Sequence, residues 1–86
     1  MNEFKALHIE IISPAGVLLD DYCYMATIPT TNGELGIMKN HESTLSRLKQ
    51  GTINIYNDKN HIIKSFDITG GFANCVEDKL IVLVDN

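Results

Sequence analysis

Apolar and polar positions alternate along most of this chain with a period of two, the mark of strands that bury one side. In the first run Leu7, Ile9 and Ile11 share one face, while Ala6, His8 and Glu10 share the other. Ile12 starts the exit toward Ser13-Pro14-Ala15-Gly16, where a fixed proline φ and a permissive glycine reverse the chain. Val17-Leu18-Leu19 begins a second short strand and a third runs from Tyr22 to Ile28. Pro29 to Glu34 is a polar loop, and its Asn32-Gly33 pair predicts a type I′ hairpin turn with two positive φ values. Leu35 to Ile37 continues as a short strand. Met38 to Glu42 is a second loop, and Ser43 to Leu48 a strand of mixed pattern that Gly51 closes.

Thr52 to Tyr56 and His61 to Ile68 flank Asn57-Asp58-Lys59-Asn60, a four-residue turn signal that predicts a hairpin. Gly70-Gly71 marks a bulge or a close backbone approach before a strand from Phe72 to Val76. Glu77-Asp78-Lys79 then turns the chain into Leu80 to Val84, whose two apolar faces predict a strand central to the core.

Composition agrees with this pattern: Ile, Val and Thr supply 21 residues, 11 of them Ile, and β-branched side chains favour pleated strands. Eight to ten short strands predict an all-β fold, a two-sheet β-sandwich or flattened barrel. A parallel sheet is not expected, because no connection is long enough for a crossover helix. At 86 residues the chain fits one domain, 1–86, and no internal repeat or linker divides it.

Charge narrows the partners. The net charge is −4, the seven Lys and Arg are scattered, and acidic pairs such as Asp20-Asp21 recur. Nucleic acid requires clustered cations, so neither it nor an anionic lipid surface is expected. The longest apolar runs fall far short of the ~20 residues that span a bilayer. Met1-Asn2-Glu3-Phe4-Lys5 lacks the basic and apolar regions of a secretory signal, so the chain is expected to stay where it is made, with Cys23 and Cys75 as reduced, buried thiols.

Little in the chain suggests chemistry. His8, His41 and His61 have no ligand spacing, so no metal is expected. A Cys75–His61 nucleophile pair helped by Asp67 would make a small hydrolase, yet no strained nucleophile turn or oxyanion loop accompanies it. Gly70-Gly71 lacks the context of a phosphate loop. No catalytic residue, cofactor or small-molecule substrate follows from the residues. A free-standing β-sandwich module for a small polar ligand or peptide is the alternative reading.

Four stretches occur in a telling order. Asn32-Gly33-Glu34-Leu35-Gly36-Ile37 is followed by His41 and Leu45, then by Leu48-Lys49-Gln50-Gly51 and by Gly70-Gly71-Phe72. With Ile9 to Gly16 before them and Leu80 to Asp85 after, this chain resembles the amino-terminal domain of the epsilon subunit family of bacterial F-type ATP synthases. The resemblance implies a two-sheet sandwich of about ten strands and a noncatalytic rotor role, joining the foot of the gamma subunit to the proton-carrying c-ring and so, indirectly, to the catalytic head. It implies a peripheral place on the cytoplasmic face of the bacterial inner membrane. It also implies that Thr30, Thr31, Asn32, Gly33 and Glu34 touch the ring, and that Lys39, Asn40, His41 and Glu42 touch gamma.

Two departures from the family stand out. The usual Pro-Gly-His-Ala-Pro-Leu-Leu is replaced by Lys39-Asn40-His41-Glu42-Ser43-Thr44-Leu45, losing two prolines and a glycine that stiffen the loop. Asn40 tolerates the left-handed region and is expected to keep the backbone path, while Lys39 and Glu42 add charges a partner must match. Epsilon subunits commonly continue into a helical hairpin that inhibits ATP hydrolysis. The sequence ends at Val84-Asp85-Asn86, so neither that inhibition nor nucleotide sensing is carried over.

Overall fold

The computed structural model describes residues 7–86, so Ala6 and the Met1-Asn2-Glu3-Phe4-Lys5 terminus lie outside the described residues. Every regular element described is a strand: β1 (Leu7–Ser13), β2 (Gly16–Cys23), β3 (Met25–Thr30), β4 (Gly33–Met38), β5 (Thr44–Leu48), β6 (Gly51–Tyr56), β7 (Ile62–Ile68), β8 (Gly71–Val76) and β9 (Lys79–Val84). They form one curled sheet in the order β2-β1-β9-β8-β5-β3-β6-β7, with β4 along the other side of β3. The curl occurs at β5, which pairs with β8 over its whole length but touches β3 only at Thr30↔Leu48. Two layers result, β2-β1-β9-β8-β5 and β4-β3-β6-β7, the sandwich that the alternation predicts.

The core lies between them. Leu7, Ile9 and Ile11 of β1, Leu80 and Val82 of β9, Ile28 of β3 and Ile53 of β6 are all fully buried. Each such side chain contributes ~1.5–3 kcal/mol relative to exposure, and together they dominate the stability of so small a domain. On β1 the burial alternates without exception from Leu7 to Ser13, as the period-two pattern requires.

Several boundaries differ from the sequence reading. Tyr22 and Cys23 belong to β2, which runs on from Gly16, and the chain bends at Tyr24, whose amide donates to the Tyr56 carbonyl (2.9 Å). Pro29 and Thr30 finish β3 instead of opening a loop. Among the described residues one strand pair is parallel, β1 with β9, far apart in sequence. Their connection is the whole intervening domain, so no crossover helix is needed.

The turns also differ. Asn32-Gly33 does not form the type I′ turn: only Gly33 has positive φ (118°), and the two-residue loop is Thr31-Asn32. The Thr30 hydroxyl decides this, donating to the Gly33 carbonyl (2.6 Å) and accepting from the Asn32 amide (3.2 Å), a local closure that competes with the I′ geometry. Ser13 closes the β1–β2 turn in the same way, with Ala15 and Gly16. The two consecutive positive φ values occur instead at Glu77 (50°) and Asp78 (63°), between β8 and β9.

Gly70-Gly71 does mark a close approach. A Cβ on Gly71 would lie far inside van der Waals contact of the Leu83 carbonyl oxygen, and 3.0 Å from the Leu83 carbonyl carbon and the Val84 Cα. β8 and β9 pair through this point, so the missing side chain lets the sheet close.

Candidate partner-binding faces

The strand directions sort the loops into two ends. One end carries the β1–β2 and β3–β4 turns, the β5–β6 and β7–β8 connections and Asp85-Asn86; the other carries the bend at Tyr24, residues 39–43, the β6–β7 loop and the β8–β9 turn. The ring-contact and gamma-contact residues of the sequence reading therefore sit at opposite ends of β4, six residues or about 20 Å apart.

At the first end, Thr31, Asn32 and Glu34 are exposed. Thr30 is buried and its hydroxyl closes the turn, so its part is to shape the tip. The tip is tied to β5, because the Thr31 amide donates to the Arg47 carbonyl (3.0 Å). Glu34 lies opposite Pro29 on the hairpin, with its carboxylate in solvent.

At the second end, Lys39, Asn40 and Glu42 are exposed and His41 is partly buried. Asn40 adopts φ = 67°, the left-handed conformation expected of it. The His41 amide donates to the Met38 carbonyl (3.2 Å), and its ring Nδ1 lies 2.8 Å from the Glu42 carbonyl oxygen. A carbonyl only accepts, so Nδ1 carries the proton and Nε2 remains the ring's other hydrogen-bonding atom. The Thr44 hydroxyl donates to the same carbonyl (2.9 Å).

A surface that periodicity alone misses begins one residue in from the first end and extends toward the second. On the outward face of the first layer, cross-strand register aligns Val17, Ile12, Leu83 and Phe72, one per strand across β2, β1, β9 and β8. Arg47 of β5 completes the row, its guanidinium 5.3 Å from the centre of the Phe72 ring. The next row holds Ile81 and Leu45 on either side of Asn74. Val17, Leu45, Phe72 and Leu83 are 58%, 75%, 47% and 50% exposed, far more than aliphatic and aromatic side chains gathered on one face need to be. A shallow hollow of about 270 Å³ opens among Leu45, Phe72, Ala73, Asn74, Ile81 and Leu83.

This corrects the reading of Leu80–Val84. β9 is central in its sheet, but only Leu80, Val82 and Val84 enter the core, while Ile81 and Leu83 face outward. The double-sided apolar pattern was the available signal: one face enters the core and the other is exposed. The second row, that of Ile81, also holds Glu10 and Asp20, and the row beyond is mixed, with Tyr22, His8, Lys79 and the exposed Val76. His8 Nε2 lies 2.6 Å from Asp20 Oδ1, and the His8 ring stacks on Tyr22 at 4.7 Å.

The hydrolase grouping does not form. Cys75 is buried on β8, whereas His61 lies in the β6–β7 loop beside Asp58 (3.4 Å) and Asp67 accepts from the Thr52 hydroxyl (2.9 Å). Burial, with the Asp78 charge second, pushes the Cys75 thiol above its usual range, opposite to what a nucleophile needs. Among the described residues no three His, Cys, Asp or Glu side chains gather where they would hold a metal.

Cys23 makes a testable case. Burial, with the Asp21 charge second, pushes its thiol from 9.0 to about 11. Between those values the unfolded chain releases a proton that the folded chain keeps, so the stabilisation is full below pH 9 and is lost as pH rises toward 11. The urea midpoint is expected to fall between pH 8 and 10.5, and to fall less in Cys23→Val. Both thiols should resist alkylation until the chain is unfolded.

Comparison with known proteins bears on the whole of this arrangement. Residues 6–86 match the family model described as ATP synthase, Delta/Epsilon chain, beta-sandwich domain. The ATP synthase epsilon chain of Campylobacter curvus is 39% identical over 80 residues, covering 92% of this chain and 60% of that protein. The epsilon chain of Rhodospirillum rubrum is 34% identical over 81 residues, again with 60% of its length covered. This chain thus spans about 60% of the length of these curated relatives.

Among solved structures, a chain of the Euglena gracilis mitochondrial ATP synthase (OSCP/F1/c-ring, rotational state 1) superposes with a TM-score of 0.86 at 20% identity. That match covers 100% of this chain and 54% of the other. A chain of the Tetrahymena thermophila mitochondrial ATP synthase central stalk and c-ring gives 0.76 at 17% identity, covering 99% and 67%. At those identities the structures speak for the fold, and the family model speaks for descent. From the two together, the chain belongs to the ATP synthase delta/epsilon-chain β-sandwich domain family.

Proposed function

We propose that residues 1–86 form one noncatalytic domain of the central stalk of a membrane-attached F-type ATP synthase, joining the gamma subunit to the ring of c subunits. The relatives named as epsilon chains and the matched structure titled central stalk and c-ring support this reading. Within it, rotation driven by protons in the ring reaches the catalytic head through gamma, and the domain sits at the cytoplasmic face of a bacterial inner membrane.

The observation that carries it is the half-exposed apolar row from Val17 to Phe72, continuous through Leu45 and β5 with the His41 loop. Five strands at ~4.8 Å spacing and about six residues long give a face roughly 20 by 20 Å, about half of the ~800 Å² that one side of a stable interface buries. The loop 39–42 supplies further contact at its margin, so gamma covers both. Glu34, Thr31 and Asn32, at the opposite end, face the ring. A carboxylate there accepts a charge-assisted bond from a ring cation, which fixes register more than affinity, because exposed ion pairs contribute about 0.2–1 kcal/mol.

A ligand-binding module fits less well. The hollow on this face offers one polar side chain, Asn74. A larger one, about 600 Å³, is a polar recess of Asp58, Lys59, Asn60 and His61 on the β6–β7 loop beside Tyr24. Small-ligand sites are instead lined mostly by apolar side chains with a few convergent polar groups.

Photo-crosslinking groups placed singly at Glu34, Leu45 and His41 test the assignment. Position 34 is expected to capture the c subunit, and positions 41 and 45 gamma. Capture of gamma by position 34 and of c by position 45 would reverse the orientation, and capture of neither subunit by any position would remove the proposal.

A further inference from the structure

Asp78 joins three parts of the second end. Its carbonyl accepts the His8 amide (2.9 Å), its backbone makes the β8–β9 turn, and its carboxylate Oδ1 accepts the Asn40 amide at 2.6 Å across 38 residues of sequence. Its backbone is at φ = 63°, and Glu77 beside it is at 50°, a conformation that glycine adopts at least cost and asparagine next. The turn by itself therefore favours another residue at 78. What aspartate adds is the carboxylate, and that carboxylate ends on the left-handed residue of the His41 loop.

The loop needs such a tie. Lys39 to Ser43 contains neither proline nor glycine, and its other hydrogen bonds, from the His41 amide to Met38 and from the His41 and Thr44 side chains to Glu42, are all local. Those bonds shape the loop without fixing where it stands relative to the apolar face. Among the described residues the Asn40–Asp78 bond is the long-range one, and it anchors the loop to the hairpin whose strands carry Phe72, Ile81 and Leu83.

We propose that Asp78 is a positioning residue for partner binding: its carboxylate holds the Asn40 amide and so pre-orders the His41 loop beside the apolar face. The proposal rests on the reading that this loop meets gamma. An ordered loop loses less conformational freedom on association, so release of the tie weakens binding, while the fold itself gains from a residue better suited to the turn.

Two variants of the whole chain separate side chain from backbone. Asp78→Gly suits the turn and lacks the acceptor; Asp78→Asn keeps an acceptor oxygen and tolerates the same φ. In the free protein, hydrogen exchange at the Asn40 amide is expected to accelerate at least tenfold in Asp78→Gly, with the urea midpoint unchanged or raised, and to stay within threefold of the parent in Asp78→Asn. Affinity for purified gamma is expected to fall roughly tenfold in Asp78→Gly and to be kept within about threefold in Asp78→Asn. An Asp78→Gly chain with undiminished Asn40 protection, or with parental gamma affinity, overturns the proposal. If the parent chain itself fails to bind gamma, the central-stalk reading fails, and the exchange measurement still decides whether Asp78 holds the loop.

Discussion

Replacing Gly71 with alanine is expected to abolish or nearly abolish the folded state. The new Cβ would collide with the main chain of Leu83 and Val84, not with a side chain that could rotate away, and Gly71 holds φ = 148°, where L-residues are strained. Overpacking costs ~1–3 kcal/mol and an unfavourable φ a similar amount. Their sum, roughly 2–6 kcal/mol, reaches at its upper end the whole stability of a small domain, which lies toward the lower end of ~5–15 kcal/mol. Gly36→Ala is the matched control. Its Cβ would meet the Met25 sulfur at 3.5 Å and the Thr27 methyl at 3.9 Å, ordinary contacts on normal backbone, and the urea midpoint should barely move. A Gly71→Ala protein with a parental urea transition would contradict the packing described at the β8–β9 pair.

The second large effect concerns binding. Leu45→Glu and Leu83→Glu place a carboxylate on the apolar face at side chains 75% and 50% exposed, so neither should cost the fold much. Both are expected to reduce gamma affinity by about 30-fold or more, the scale of losing a contact worth at least 2 kcal/mol at an interface centre and burying an unpaired charge there. Glu34→Gln, at the hairpin tip proposed to face the ring, should change gamma affinity by less than twofold. Equal tolerance of all three substitutions in a gamma-binding assay would show that the apolar row is not the docking face.

The strands were readable because the alternation is strict. β1 needs no more than Leu7, Ile9 and Ile11 against His8 and Glu10, and the Gly70-Gly71 pair flagged a real close approach. What misled was local chemistry that dipeptide preferences do not include. Asn32-Gly33 has the composition of a type I′ turn, but the hydroxyl of Thr30 two residues earlier captures the chain first. Glu77-Asp78 has no such composition and takes the positive φ values, because the β8–β9 register and the contact with Asn40 hold it there. The pairing of β1 with β9 joins residues more than 70 positions apart and has no local signature.

The apolar face was half visible. Leu80 to Val84 shows apolar residues at both parities, yet a run of that kind reads equally as a strand buried on both sides. Only the register, which sets Leu83 between Ile12 and Phe72 on the outward face, distinguishes a core strand from one that also presents an exposed apolar face. The His41 loop was placed by resemblance, and its Asn40 took the left-handed conformation that the substitution for glycine suggested. Its tie to Asp78 could not be read from sequence, since nothing links positions 40 and 78 until the strands are paired.

The central claim is that this domain is a stalk component held by gamma. Affinity purification of the tagged chain from mildly solubilised membranes of its own cells, with the recovered proteins identified by mass spectrometry, tests it most directly. Gamma is expected to be recovered together with the catalytic head subunits, and both to be lost when Leu45 and Leu83 are replaced by glutamate. Recovery of the intact, folded chain with neither gamma nor any head subunit would contradict that claim.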